Sequence, residues 1–148
     1  MAETQIDIEE PAALALLEDT FSGIDFGVAL MDEDLNFVML NETYVDLAFG
    51  DGIVPRIGDS AKDVSRRQMA SGFYVMPEGS DPESRTEALV AAVTSCQSEI
   101  LLQRSDGRWL EASAKRTKLR GYLVSVKDVT DREMAKSAED ARWAAVPS

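Results

Sequence analysis

Asp106–Trp109 (DGRW) and, after two strand-like segments, Lys127–Glu133 (KDVTDRE) decide the fold that this sequence predicts. Asp106-Gly107 predicts a two-residue hairpin turn, because Asp and Gly tolerate the positive φ that such a turn needs. Thr130 and Glu133 have the spacing of a capping box, in which a hydroxyl and a carboxylate satisfy the first amide groups of a helix. Together the two segments predict paired strands followed by a helix that leaves the sheet.

Apolar segments on both sides of this region complete the predicted sheet. Glu99–Arg104, Trp109–Thr117 and Tyr122–Val129 are predicted to form three consecutive strands. Earlier in the chain, Phe26–Met31 and Phe37–Leu40 flank a polar turn and predict an antiparallel pair. The first of these strands is apolar on both faces, so we expect it to be covered on both sides.

Helix signals fill the space between the two groups of strands. Asn41 is expected to cap a short helix that buries Tyr44 and Leu47. A further short helix is predicted near Asp59–Met69, in a segment rich in Gly. Asp81-Pro82 combines an N-cap residue with Pro at the first helical position and so predicts a longer helix.

The helix that begins after Asp81 is expected to reach about Ser95. Its apolar residues recur at helical spacing, and the predicted buried stripe is Ala88, Leu89, Ala92, Val93 and Cys96. Cys96 is therefore interpreted as a core thiol. The residues predicted to form one core between sheet and helices are Ala29, Leu40, Leu89, Val93, Ala112 and Val124.

From about Asp19 to Glu133 the sequence resembles a PAS domain, a small sensor module of signalling proteins. The resemblance rests on Gly27–Asp32, Phe37–Asn41, Asp106–Glu111 and Asp128–Arg132. It implies an α+β fold with a five-stranded antiparallel sheet, helices on one face, an N-terminal flanking helix and a C-terminal exit helix. The expected division is an acidic tail (1–10), the flanking helix (11–22), the PAS-like domain (23–130) and a signal helix or linker (131–148).

Composition and charge narrow the possible partners. The chain has 148 residues and a formal net charge of −12, and residues 1–50 contain 12 acidic residues without any Lys or Arg. Nucleic acids and anionic lipids need basic surfaces, so neither is an expected partner. The absence of a long apolar run predicts no membrane association, and the single Cys96 suits a reducing cytoplasm.

The residue types that are missing exclude several chemistries. The chain contains no His, which excludes a phosphoacceptor histidine, a Ser-His-Asp hydrolase and a His-ligated haem. One Cys and no His make a zinc site untenable, and no metal site is predicted. Cys96 also lies outside any motif of the light sensors that attach flavin to Cys, so covalent flavin is not expected. The cofactor, if one exists, stays unknown.

Small residues on one predicted strand hint at space inside the domain. Leu110, Ala112 and Ala114 alternate with polar residues, so the inward face is mostly small. This leaves room either for a ligand or for large neighbours such as Tyr74, which would fill the interior. The candidate ligand-pocket residues are Ala29, Met31, Val38, Leu40, Tyr44, Leu47, Ala112, Ala114 and Val124.

The C-terminal segment carries the candidate output elements. Met134, Ala138, Ala141 and Ala145 follow a heptad spacing, which predicts a homodimer seam, although an ordinary tail would explain the same pattern. The candidate dimer-interface residues are Leu14, Leu17, Phe21, Met134, Ala138 and Ala141. The candidate signal-output residues are Asp128, Val129, Thr130, Arg132 and Glu133, with an expected ion pair between Asp128 and Arg132.

These observations predict a regulatory domain without catalysis of its own. It would sense a small ligand or mediate dimerisation, and pass the signal through its C-terminal helix to an effector domain or partner protein. Two alternatives stay open at this point. One is a protein interaction adaptor with a filled core, and the other is a small α+β enzyme that uses Asp, Glu and Tyr.

Overall fold

The computed structural model describes residues 26–145, with side chains up to Glu139. The elements in chain order are β1 (Phe26–Met31), β2 (Phe37–Leu40), α1 (Glu42–Ala48), α2 (Ala61–Ala70), α3 (Pro82–Thr94), β3 (Ile100–Gln103), β4 (Trp109–Arg116), β5 (Tyr122–Asp128) and α4 (Thr130–Ala145). The predicted flanking helix, with Leu14, Leu17 and Phe21, lies outside the described residues.

The strands form one five-stranded antiparallel sheet in the order β2-β1-β5-β4-β3. The predicted α+β fold and all five predicted strands are confirmed, with ends that differ by at most one residue from the sequence expectation. Pairing of Ala29 with Val124 and of Ala114 with Val124 places small side chains on the inner face of the central strands. Helices α1, α2 and α3 cover this inner face.

Helix α1 is fixed to β1 by Asn41 and by a glycine. The Asn41 side-chain oxygen accepts hydrogen bonds from the Tyr44 amide at 2.8 Å and from the Val28 amide at 2.9 Å. The same oxygen therefore caps α1 and binds the backbone of β1. A Cβ atom at Gly27 would lie 2.3 Å from the Tyr44 Cα atom. Only glycine lets the helix approach the strand this closely.

The core lies between the inner sheet face and these helices. Ala29, Val93, Ala112 and Val124 are buried, as predicted. Leu40 and Leu89 are only half-buried, although both pack against the core. Two further residues were predicted to belong to the buried stripe of α3. Ala92 is buried, as predicted, whereas Ala88 is exposed.

The interpretation of Cys96 as a core thiol is wrong. Helix α3 ends at Thr94, and Cys96 follows the C-cap with φ of 54° and an exposed side chain. Its amide donates to the Val93 carbonyl, and the next amide, of Gln97, donates to the Ala92 carbonyl. This pattern is a Schellman motif, which places Cys96 at a left-handed position beyond the buried stripe.

The Asp106-Gly107 hairpin exists, but its turn differs from the prediction. The Arg104 amide donates to the Arg108 carbonyl, and the Gly107 amide donates to the Arg104 carbonyl. The loop therefore has three residues, and positive φ occurs at Gly107, at 96°, and not at Asp106. A three-residue loop of this kind needs Gly only at its last position.

Candidate functional site

A cavity of about 60 Å³ lies between the inner face of the sheet and helices α2 and α3. The described residues that line it are Met31, Leu35, Tyr44, Ala48, Phe49, Ala61, Lys62, Ser65, Gln68, Met69, Tyr74, Leu89, Val90, Val93, Leu102, Ala112, Val124 and Val126. Among them, Lys62, Ser65, Leu89 and Val90 are half-buried. The cavity therefore approaches the surface between α2 and α3.

The residues that the sequence suggested for a ligand pocket divide into three groups. Those that line the cavity are Met31, Tyr44, Ala112 and Val124. Those that are buried in the adjoining core without lining it are Ala29, Leu47 and Ala114. Val38 and Leu40 are half-buried on β2 and do not line it.

Helix α2 supplies a side of the cavity that the sequence reasoning missed. Ala61, Lys62, Ser65, Gln68 and Met69 all line the cavity and occupy positions i, i+1, i+4, i+7 and i+8. This periodicity is the signal that could have identified them, because it defines one face of a helix. The sequence predicts this helix near Asp59–Met69 but assigns none of its residues to the pocket.

Besides Lys62 and Ser65, three buried polar side chains line the cavity: Tyr44, Gln68 and Tyr74. Burial raises the pKa of Tyr44, and its hydroxyl has no hydrogen-bond partner among the described residues. Burial, and then the nearby Tyr44 hydroxyl, also raise the pKa of Tyr74 against the opposing effect of Arg104. Both phenols are therefore protonated at neutral pH. The Gln68 side chain is 2% exposed, and its carbonyl oxygen accepts no hydrogen bond from the described residues.

The carbonyl groups at the end of α1 are bound by three side chains, which we call the α1 cap cluster: Gln68, Tyr74 and Arg104. The Tyr74 hydroxyl donates to the Ala48 carbonyl at 2.6 Å, and the Gln68 amide donates to the Phe49 carbonyl at 2.9 Å. One guanidinium nitrogen of Arg104 donates to the Asp46 and Leu47 carbonyls at 3.1 and 3.2 Å. A seven-residue helix is thus capped by side chains from α2, from the following loop and from the β3–β4 hairpin.

Arg104 connects this cluster to the hairpin. Its side chain is 10% exposed, forms an ion pair with Asp106 at 2.7 Å and stacks over the Phe73 ring at 4.4 Å. Desolvation acts to raise the Asp106 pKa, but the Arg108 amide and the Arg104 guanidinium outweigh it, so the pKa is lowered. The hairpin turn is therefore held to the end of α1 by a largely buried cation.

The start of α4 meets the same hairpin at what we call the exit junction: Trp109, Glu111, Asp128, Thr130 and Arg132. The Trp109 amide donates to the Thr130 hydroxyl at 3.0 Å, and the Val129 amide donates to the Trp109 carbonyl at 2.8 Å. The Asp128 carboxylate accepts hydrogen bonds from the Thr130 amide at 2.8 Å and from its hydroxyl.

The predicted capping box of Thr130 and Glu133 is wrong. Asp128 caps the helix, because the Thr130 hydroxyl is already bound to Asp128 and to the Trp109 amide. The Glu133 amide donates to the Val129 carbonyl, and the Glu133 carboxylate accepts from Arg132 at 3.1 Å.

The expected ion pair between Asp128 and Arg132 does not form. Arg132 pairs with Glu111 on β4 at 2.8 Å, and Lys127 lies 3.5 Å from the same carboxylate. The Arg132 hydrogen bond lowers the pKa of Glu111, against the opposing effect of desolvation. Since Glu111 pairs with Lys127 across the β4–β5 ladder, the sheet register brings this carboxylate to the first turn of α4.

Beyond its first turn, α4 presents an exposed surface. Met134 is 59% exposed and Ala138 is exposed, whereas the side chain of Ala141 is outside the described set. Val129, at the strand end, is buried. Within residues 26–145, none of the helices has the length and apolar character that crossing a membrane would require.

Comparison with known proteins yields one family match and several structural neighbours. A family model described as "PAS fold" matches residues 21–137. The crystal structure of the phage VqmA-DPO complex is similar with a TM-score of 0.57 and 13% identity, over 97% of this chain and 64% of that one. The sensor region of a sensor histidine kinase is similar with a TM-score of 0.50 and 12% identity, over 72% of this chain and 40% of that one.

At these identities the likeness concerns the fold alone. The chain spans less than two thirds of the length of either structure, so both relatives contain further segments. No curated protein matches the sequence.

Proposed function

Because the chain belongs to the PAS-fold family, whose members are sensory modules of signalling proteins, we propose that it is a non-catalytic sensory domain. A small ligand in the cavity alters the α1 cap cluster, and the change passes through Arg104 and the hairpin to the exit junction. Helix α4 then carries the signal to an effector domain or partner protein. The observation that carries this proposal is that cavity residues and the hairpin share the same helix end.

The contacts that support this route are continuous. Gln68 and Tyr74 line the cavity and also hold the last carbonyls of α1. Arg104 binds the two preceding carbonyls and reaches Asp106 in the hairpin turn. The turn leads directly to Trp109, whose amide and carbonyl bind the first residues of the exit junction. A shift of Gln68 or Tyr74 therefore changes the same helix end that orients Arg104.

The cavity chemistry supports binding over catalysis. Among the described residues that line it there is no carboxylate, and the raised pKa values of Tyr44 and Tyr74 keep both hydroxyls protonated. An enzyme that uses Asp or Glu needs a carboxylate at its site, and the described lining contains none. Apolar walls with a few polar groups are typical of ligand sites.

The output would require a partner, and a second copy of the chain fits the surface of α4. Met134 and Ala138 are exposed on this helix at the spacing of a coiled-coil seam. Two short heptads rich in Ala do not hold a dimer alone, so residues 11–21 would contribute to the interface as well. A homodimer in the cytoplasm stays a prediction, and sedimentation at micromolar concentration with and without residues 1–20 tests the dimer.

Native mass spectrometry of protein purified without heating, together with its absorption spectrum, tests ligand sensing. We expect a small added mass on the wild type and no Soret band, because the chain has no His to ligate haem. The variant Ala112→Leu places a larger side chain in the cavity and should lose the added mass. Ala114→Leu, at a buried position that does not line the cavity, should retain it.

The small volume of the cavity favours a second candidate function, an interaction adaptor with a filled core. A volume of about 60 Å³ is below that of typical ligand pockets. If the wild type and both variants carry no added mass, and if filling the cavity leaves output from a fused effector unchanged, the adaptor replaces the sensor.

A further inference from the structure

We propose that the cavity selects small acids, with Lys62 holding the carboxylate and the apolar walls holding a branched chain of a few carbons. This inference rests on the proposed ligand-sensing function and specifies the class of ligand.

Charge is the first argument. Lys62 is the one charged side chain among the described residues that line the cavity, although the whole chain has a formal net charge of −12. It is half-buried and forms no ion pair with any described residue. The neighbouring carboxylate of Asp63 is exposed and pairs with Arg66 at 3.1 Å. A half-buried lysine that lines a largely apolar cavity and has no ion-pair partner among the described residues favours an anionic occupant.

The position of Lys62 on α2 adds to this preference. Lys62 is the second residue of a ten-residue helix whose first amide groups carry partial positive charge. Ser65 lies one turn further along on the same face, lines the cavity and has a hydroxyl without a partner among the described residues. An ammonium and a hydroxyl one turn apart can donate to the two oxygens of one carboxylate.

The orientation of the ligand follows from the next turn of α2. Gln68 presents an unoccupied carbonyl oxygen, which accepts hydrogen bonds and repels a carboxylate. The carboxylate is therefore expected at the Lys62 end, where the lining is half-buried, and the apolar part lies deeper. A hydroxyl on the apolar part would find acceptors and donors in Gln68 and Tyr44.

The cavity volume limits the apolar part. An engineered apolar cavity of roughly 150 Å³ binds benzene. The volume of about 60 Å³ is less than half of that, which favours a small ligand. Met31, Leu102, Val124 and Met69 are the apolar lining residues that would contact a branched chain of three or four carbons.

Three probes of the same shape and different charge test the inference: isovalerate, isovaleramide and isoamylamine. Each is titrated into the full chain while the methyl groups of Met31 and Met69 are followed by NMR. Isovalerate should bind about tenfold more tightly than the amide, because its hydrogen bonds are made to a charged group, and the amine should bind most weakly. Lys62→Gln should reduce the affinity for isovalerate to that for the amide. Lys118→Gln removes the same charge from an exposed turn that does not line the cavity, and should have no effect.

The outcomes separate the two levels of the proposal. If isovaleramide binds as tightly as isovalerate, or if Lys62→Gln leaves the affinity for isovalerate unchanged, the selection of acids is overturned and ligand sensing survives. If none of the three probes shifts either methyl group at about 10 mM, well above a millimolar Kd, the proposed ligand class is overturned. Ligand sensing itself is then decided by the mass that the wild type retains in native mass spectrometry.

Discussion

The cavity and the exit junction lie on the same sheet but are built from opposite kinds of contact. The cavity has mainly apolar walls, and its polar groups include a hydroxyl and a carbonyl without partners among the described residues. At the exit junction, the polar groups of Trp109, Glu111 and Thr130 are each paired with a neighbour. Apolar contacts are non-directional and tolerate rearrangement, whereas paired polar groups fix an orientation. The cavity can therefore rearrange around different ligands, whereas the exit junction fixes the direction of α4.

The α1 cap cluster lies between these two regions. It is buried, like the cavity, and its side chains form hydrogen bonds, like those of the exit junction. Its donors are buried like the cavity walls, yet every bond has a defined geometry. Four predictions test this division of roles, in order of decreasing expected effect.

Arg104→Met should be the most damaging change, because it leaves the Asp46 and Leu47 carbonyls without their donor. We expect the free energy of unfolding to fall by about 3 kcal/mol, because hydrogen bonds from a charged donor are lost and two carbonyls stay without a partner. Arg108→Met, in the same turn, removes a half-exposed guanidinium 3.8 Å from Asp106 and should change little. Urea unfolding of both variants measures the difference, and equal losses would contradict the role assigned to Arg104.

The core contains a fully packed position at Ala114 and a position beside the cavity at Ala112, and substitution of each by Leu compares the two. Both positions are buried on the inner face of β4, but only Ala112 lines the cavity. Overpacking at Ala114 should cost about 2 kcal/mol, whereas the cavity should absorb most of the added volume at Ala112. Thermal unfolding of the two variants measures this difference in stability. A larger loss of stability for Ala112→Leu than for Ala114→Leu would show that the cavity cannot accept a side chain.

Thr130→Val should weaken the exit junction without affecting the cavity. The hydroxyl accepts from the Trp109 amide and donates to Asp128, so its loss should cost about 1 kcal/mol. Amide hydrogen exchange should increase at Trp109 and in the first turn of α4. Thr130→Ser keeps the hydroxyl and serves as the control. Unchanged exchange at Trp109 in the Val variant would count against this contact.

The ion pair of Glu111 and Arg132 predicts the smallest effect, one that depends on pH. Arg132 holds the pKa of Glu111 below its ordinary value, so the carboxylate stabilises the folded state above the unfolded pKa of about 4.3. This contribution is lost as the pH falls through the lower pKa of the folded state. The stability difference between wild type and Arg132→Gln should therefore be present at neutral pH and vanish in acid.

Urea unfolding at neutral and acidic pH measures the stability difference between wild type and Arg132→Gln. The control is Arg120→Gln, at an exposed position that has no described ion pair. A difference that persists in acid would mean that Arg132 acts through some group other than Glu111.

The sequence was sufficient to predict the sheet, because the residues within each strand show a local pattern of apolar and polar positions. The alternation of Leu110, Ala112 and Ala114 with polar residues predicted which side of β4 faces the core, and Asn41 and Asp81 predicted two helix starts. These features depend on neighbours within a few positions, where side-chain periodicity and capping operate.

The errors arose where distant segments determine the outcome. Asp128 was expected to pair with Arg132 four residues away, but the β4–β5 register brings Glu111 to Arg132 instead. Cys96 continues the periodicity of α3, yet the helix ends at Thr94 and Cys96 itself adopts the left-handed conformation. The α1 cap cluster joins residues 19 to 58 positions apart, so no local pattern could have indicated it.

A double-mutant cycle between Gln68→Met and Thr130→Val tests most directly whether the cavity and the start of α4 are coupled through the α1 cap cluster. Gln68→Met removes the donor to the Phe49 carbonyl, and Thr130→Val removes the hydroxyl that binds Trp109. The account predicts that the two losses of unfolding free energy deviate from additivity by at least about 0.5 kcal/mol, as members of one network do. Additivity within about 0.3 kcal/mol, the behaviour of independent sites, would contradict it.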